Sequence, residues 1–142
     1  MLRTIPKIIS PELMKTMMEM GHSDVIILAD ANYPATAHAK RLLRLEGVEI
    51  PDLLDAILQY FPLDYFVEHP VALMRNLSSE PVPEIWKEYD EIIRKRDQDN
   101  AFKEFRYIER LPFYKESEDA YLIVQTATTA RYANIILQKG VV

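Results

Sequence analysis

The stretch from Met20 to Ala35, M-G-H-S-D-V-I-I-L-A-D-A-N-Y-P-A, limits the possible folds of this chain more than any other. At its centre Val25 to Ala29 is an unbroken apolar run, too short for a helix and rich in β-branched residues. That pattern predicts a strand buried on both faces. Polar groups close the run at each end, His22 and Asp24 before it, Asp30 and Asn32 after it. A buried strand that ends in a carboxylate and a loop is where open α/β sheets keep their ligands. An imidazole returning to that same pocket would set an acid–base group beside a hydrogen-bonding carboxylate. Gly21 is expected to end the preceding helix, because glycine tolerates the left-handed conformation of a helix C-terminus.

Around this stretch helices and strands alternate, which favours an α/β sheet flanked by helices. Ser10-Pro11-Glu12 is a helix start, with a serine cap, a proline at the first position and an acid near the positive end of the dipole. Leu13, Met14, Met17 and Met18 are spaced as a buried stripe. Ala35 to Lys40 predicts a short helix, and Arg41 to Val48 either a strand or the helix continued. A clear helix starts at Pro51-Asp52 with Leu53, Leu54, Ile57 and Leu58 on one face, ending before Pro62. Val71 to Met74 predicts a strand, and Asn76 to Pro83 a loop. The segment from Pro83 to Arg96 predicts an amphipathic helix. Tyr107-Ile108 marks a strand ending at Glu109 and Arg110, Pro112 to Asp119 a short helix, and Tyr121 to Thr126 another buried strand. Ile135 to Leu137 is the last apolar run.

Composition narrows the function classes. The 142 residues predict one domain, 1–142, and at 49% hydrophobic and 27% charged they can build a core without being membrane-like. No apolar run is long enough to span a bilayer, and M-L-R-T-I-P-K lacks the apolar stretch of a signal peptide. Without cysteine there is no disulfide, thiol nucleophile or thiolate zinc site, which is compatible with a cytoplasmic protein. A net charge of −5 argues against nucleic acid. Three glycines and no Gly-rich loop disfavour a phosphorylated substrate.

Few residues can carry chemistry. His22, just past a helix C-terminus, suits a structural cap and equally an acid–base group, since imidazole titrates near neutrality. Asp30 could cap the next turn or bind a ligand. His22-x-Asp24 lacks the third ligand a metal site needs, so no metal is expected. Arg110 could fork onto paired oxygens, or pair with Glu109 or Glu104. Tyr132 and Asn134 offer hydroxyl, amide and backbone groups to a polar ligand, or form a strand-entry turn.

Taken in order, these pieces resemble a family. Ser10-Pro11-Glu12-Leu13, Met20-Gly21-His22-x-Asp24 and Asp30-Ala31-x-Tyr33-Pro34-Ala35 carry the resemblance in the first half. Arg110-x-x-Phe113-Tyr114, Tyr132-x-Asn134 and Ile136-Leu137-x-Lys139-Gly140 carry it in the second. The whole chain resembles the small bacterial and animal sugar mutarotases that include D-ribose pyranase and L-fucose mutarotase, and is nearer the fucose branch. The resemblance implies an α/β fold of the family's own type, assembled as rings, commonly decamers, with sites near subunit contacts. It implies a cofactor-independent isomerase that interconverts the α and β anomers of L-fucose, with His22 as proton donor. Asp30, Arg110 and the segment Tyr132, Ala133 and Asn134 would contact the sugar. Three departures stand out: Asn32 for a histidine, Ala133 for a glycine, and Thr126-Ala127-Thr128 without Gly-Glu.

Mutarotation needs only that one proton reach the ring oxygen and another leave the anomeric hydroxyl, then the reverse on closing. One imidazole can serve both directions. Tyr33, Phe113 or Tyr132 could wall the C6 methyl of fucose, and Tyr132, Asp30 or water could act as partner base. Alternatives are pyranose–furanose exchange on ribose, or a sugar-binding accessory protein without catalysis. The apolar segment Asn134 to Val142, guarded only by Lys139, reads as an unpaired terminal strand that a neighbouring chain would cover, so a homo-oligomer is expected.

Overall fold

The computed structural model describes residues 1–142 as a six-stranded sheet with helices on both faces. The strands are β1 (Val25–Ala29), β2 (Leu42–Arg44), β3 (Val71–Met74), β4 (Arg106–Ile108), β5 (Leu122–Gln125) and β6 (Ile135–Gln138), in the spatial order β2-β5-β1-β6-β3-β4. Pairing is parallel between β1 and β5, β2 and β5, and β3 and β4. Only β6 runs the other way, antiparallel to both β1 and β3. Five strands therefore end at one edge of the sheet, the edge at which β6 begins.

Alternation along β1 divides the core. Ile26 and Leu28 face a cluster of 27 buried residues under α1 (Pro11–Glu19), α3 (Ile50–Ile57) and α4 (Glu84–Arg96). Ile27 and Ala29 face a smaller cluster of 11 under α2 (Ala35–His38) and α5 (Arg110–Ser117). Burying one such aliphatic side chain contributes about 1.5–3 kcal/mol, so the larger face carries most of the hydrophobic stabilisation. No helix is long and apolar enough to cross a membrane.

The start of α1 follows its sequence signal: Ser10 Oγ accepts the Leu13 N–H at 3.1 Å, and Pro11 is the first helical residue. Its end does not. The chain leaves the helix at Met20 in an extended conformation, and the left-handed residue is Ser23 (φ 69°), not Gly21. The Asp24 carboxylate accepts the Gly21 N–H at 2.7 Å, which closes the turn without a glycine conformation. The stripe also shifts. Leu13, Met17 and Met20 are buried, Met14 is half-buried, and Met18 faces solvent one helical step off the buried face.

Residues 42–44 form a strand, which settles the open choice after α2. Arg110 is the first residue of α5 rather than the end of a strand, since β4 stops at Ile108. The largest correction concerns β6. The expected unpaired terminal strand is interior, hydrogen-bonded to β1 on one side and β3 on the other, and its apolar residues fill the two core clusters. The edge strands are β2 and β4. The apolar C-terminus is therefore no argument for a neighbouring chain.

Candidate functional site

Where the parallel strands end and β6 begins, the chain forms a cavity of about 440 Å³. Asp30 and Asn32 follow β1, Arg75 follows β3, Glu109 and Arg110 follow β4, and Tyr132 and Asn134 precede β6; all line it. This is the strand-end crevice in which α/β sheets bind ligands.

Asp30 sits at its floor, mostly buried. Its Oδ1 accepts the Asn32 N–H at 2.9 Å, so the turn-capping role is real. Its Oδ2 accepts from Asn134 Nδ2 at 2.8 Å, and its own N–H donates to Asn134 Oδ1 at 2.8 Å. Burial raises the Asp30 pKa above the ordinary carboxylate value, against the hydrogen bonds from Asn32, Asn134 and Tyr33 that lower it. The departing loop supports this floor: Thr128 O accepts the Ala31 N–H at 2.8 Å, and Thr126 Oγ1 donates to Ala29 O at 2.9 Å.

Tyr132 holds a left-handed conformation (φ 56°), which a non-glycine residue adopts only when its surroundings enforce it. Two side chains of α4 do so. Trp86 Nε1 donates to Tyr132 O, and Tyr89 Oη donates to Ala133 O, both at 2.8 Å. Ala133 is wholly buried and does not line the cavity, so its β-carbon enters the core rather than the ligand space. Arg110 forms neither of the ion pairs weighed for it: Glu109 pairs with Arg75 at 3.3 Å, and the exposed Arg110 guanidinium is left to the cavity. Phe113 is core and not a wall. Tyr33 and Tyr114 are the aromatics beside it that do line the space, and burial pushes the Tyr33 phenol up to about 12.

His22 is elsewhere. It precedes β1 while Asp30 follows it, and the strand between them spans about 13 Å at about 3.3 Å per step. Within one chain, the imidazole and the cavity do not meet. His22 instead pairs with a residue the sequence reading missed. Its Nε2 lies 3.1 Å from Oδ2 of Asp64, a completely buried carboxylate. Asp64 Oδ2 also accepts from Gln138 Nε2 at 3.0 Å, and its Oδ1 accepts the Phe66 N–H at 3.0 Å. An ionised carboxylate only accepts, so Nε2 carries the proton toward Asp64 and Nδ1 is the free nitrogen of the half-exposed ring. A lone aspartate within Phe61-Pro62-Leu63-Asp64-Tyr65-Phe66 was the available signal. Asp24, bound to the Gly21 N–H, has a structural use.

Gly140 underpins the dyad. A β-carbon there would come within 2.5 Å of Leu63 O and 2.9 Å of Asp64 Cα. The backbone is pinned at this point: Gly140 N–H donates to Pro62 O, and Asp64 N–H to Gln138 O. No group of three or more His, Cys, Asp or Glu side chains is placed to hold a metal ion.

The RbsD / FucU transport protein family matches residues 3–142. Fucose mutarotase of Homo sapiens is 38% identical over 147 residues, covering 99% of this chain and 94% of that protein. L-fucose mutarotase of Actinobacillus pleuropneumoniae serotype 5b (strain L20) is 36% identical over 142 residues, covering 99% and 97%. The crystal structure of the fucose mutarotase from Streptococcus pneumoniae in complex with L-fucose is similar throughout. Its TM-score is 0.93 at 49% identity, over 99% of each chain.

Proposed function

The chain belongs to the RbsD / FucU transport protein family, and from that premise we propose that it is an L-fucose mutarotase. It is an isomerase that interconverts the α and β anomers by ring opening and closing, without a cofactor, as a single domain acting in the cytoplasm. The observation that carries this reading is the match over the full length to a fucose mutarotase solved with L-fucose bound. The relatives from Homo sapiens and Actinobacillus pleuropneumoniae are named fucose mutarotase and L-fucose mutarotase.

The residues divide the work. His22 acts as an imidazolium. Its Nε2–H stays on Asp64, and its Nδ1–H passes a proton to the ring oxygen as the bond to C1 breaks, leaving the neutral ring to recover it on closure. The anomeric hydroxyl gives up its proton to a base in the cavity, and closure on the other face of C1 reverses both transfers. General acid–base help of this kind is worth about a hundred- to ten-thousand-fold. Asp30 accepts sugar hydroxyls, Arg110 donates to them, and the Tyr132 ring packs beside them. Asn134 acts through Asp30, since its amide is committed to that residue. Ala133 acts through the clamped backbone around it.

His22 and the cavity lie at opposite ends of β1, so a working site takes the imidazole from one copy and the cavity from another. A heterologous contact of this kind, repeated until it closes, builds a ring. We assign the chain to a homo-oligomeric ring on this ground, with a decamer as its expected size.

NMR magnetisation transfer between anomers tests the activity. The protein should accelerate exchange of L-fucose more than pyranose–furanose exchange of D-ribose, and prolonged chelation should leave the rate unchanged. Faster action on ribose would favour the pyranase reading. Exchange no faster than in buffer, with binding retained, would leave a sugar-binding accessory protein.

A further inference from the structure

We propose that Phe66 is a specificity-determining residue, the aromatic wall against which the methyl group of the 6-deoxy sugar packs. The inference rests on the mutarotase reading and deepens it. Of five phenylalanines in the chain, Phe61, Phe102, Phe105 and Phe113 are buried, whereas Phe66 is 67% exposed. It is nonetheless held in place. Its N–H donates to Asp64 Oδ1 at 3.0 Å, its ring lies 5.4 Å from the His22 imidazole at an angle of 53°, and the Tyr65 ring lies 4.5 Å from it. The carboxylate that orients His22 through one oxygen therefore fixes Phe66 through the other. Imidazole and phenyl ring form one unit, presented to whatever His22 reaches.

Substrate chemistry supplies the rest. The ring oxygen of a pyranose is bonded to C5, and in fucose C5 carries the methyl group. An acid must come within about 2.6–3.2 Å of the oxygen it protonates. A side chain packed against that acid lies beside one of the two carbons bonded to the oxygen, C1 or C5, and of these only C5 carries an apolar substituent. Phe66 offers a phenyl face at this position, which suits a methyl group and gives no partner to a hydroxyl. Of the other aromatics, Phe113 is core, and Tyr33 and Tyr132 line the cavity beside the groups that hold the hydroxyls, whereas Phe66 is the ring that travels with the acid.

Three sugars separate the contributions: L-fucose, D-arabinose, which has the same pyranose ring without the methyl group, and L-galactose, in which a hydroxymethyl replaces it. Anomer exchange is measured as kcat/KM for wild type, Phe66→Ala and Phe66→Leu, with sedimentation alongside. The wild type should prefer L-fucose. Phe66→Ala should lower that preference over D-arabinose about tenfold, the scale of one methyl in an apolar pocket. Phe66→Leu, which keeps an apolar side chain, should retain most of it. If Phe66→Ala and Phe66→Leu slow all three sugars by the same factor, or leave the preference intact, Phe66 is only an assembly contact and the proposal fails alone. If the wild type exchanges no sugar faster than buffer, the mutarotase reading falls, and the role of Phe66 with it.

Discussion

Asp30 and Asn134 hold each other through two hydrogen bonds in opposite directions, 104 residues apart in the chain: Asp30 N–H to Asn134 Oδ1, and Asn134 Nδ2 to Asp30 Oδ2, both at 2.8 Å. One bond fixes where the carboxylate sits, and the other favours its charged form. The end of β1 and the start of β6 thereby become one unit at the floor of the cavity.

Asn134→Ala should act through Asp30. Removing the amide leaves a buried N–H unsatisfied, at a cost of about 1–3 kcal/mol. It also removes one of the hydrogen bonds that hold the Asp30 pKa down, leaving burial, which raises it, less opposed. The carboxyl then protonates at a higher pH, and the acid limb of fucose exchange should move to higher pH. Comparing the pH profile of kcat/KM in wild type and variant checks this. An unmoved limb would mean that the charge on Asp30 is not what the sugar uses.

Gly140→Ala should damage activity from a distance. The added β-carbon meets Leu63 O and Asp64 Cα, both backbone atoms that cannot step aside as a flexible side chain would. Overpacking of this kind costs about 1–3 kcal/mol, and relief requires the Leu63–Asp64 backbone to shift, which disturbs the Asp64 contact with His22. Urea denaturation should show the stability loss, and exchange should fall much further than the folded fraction does. A loss in proportion to unfolding would separate Gly140 from the dyad.

Asp55 joins α3 to α4 through Arg96, with contacts of 2.7 and 2.8 Å. The Arg96 hydrogen bond, and behind it the Arg96 charge, lower the Asp55 pKa below the ordinary aspartate value, which the unfolded chain regains. The pair's stabilisation is therefore full above the unfolded value and is lost as pH falls through the lowered one. Both side chains are about a third exposed, so solvent screening limits the pair to about 1 kcal/mol. Asp55→Asn should destabilise at pH 7 by about that much and make stability less steep on the acid side, with exchange kinetics kept. Thermal melts at pH 7 and below the ordinary aspartate value decide it.

Local signals were legible because local forces act on them. The Val25–Ala29 and Val71–Met74 runs are strands with those ends, and the Ser10-Pro11 cap starts α1. Non-local relationships were not. The apolar run 135–137 reads the same whether it ends a sheet or divides one, and only pairing with β1 and β3 reveals an interior strand. In sequence Tyr132 and Asn134 read equally as ligand groups or as a strand-entry turn, and Ala133 only as an alanine in place of a glycine. The hydrogen bonds from Trp86 and Tyr89 show a clamped turn whose alanine belongs to the core. Asp64 escaped notice because nothing near it in sequence pairs with His22, 42 residues away.

The division of the site between two copies is tested most directly by mixing two inactive variants. His22→Ala keeps the cavity and loses the imidazole; Asp30→Ala keeps the imidazole and loses the cavity carboxylate. Each alone should exchange fucose no faster than buffer. Co-expressed in equal amounts, they should form mixed rings in which a chance pairing of good cavity with good neighbour restores about one quarter of the wild-type sites. NMR anomer exchange on the purified mixed assembly should then recover to about that fraction of the wild-type rate. Mixed rings of wild-type size with no recovered exchange would contradict a site built from two copies.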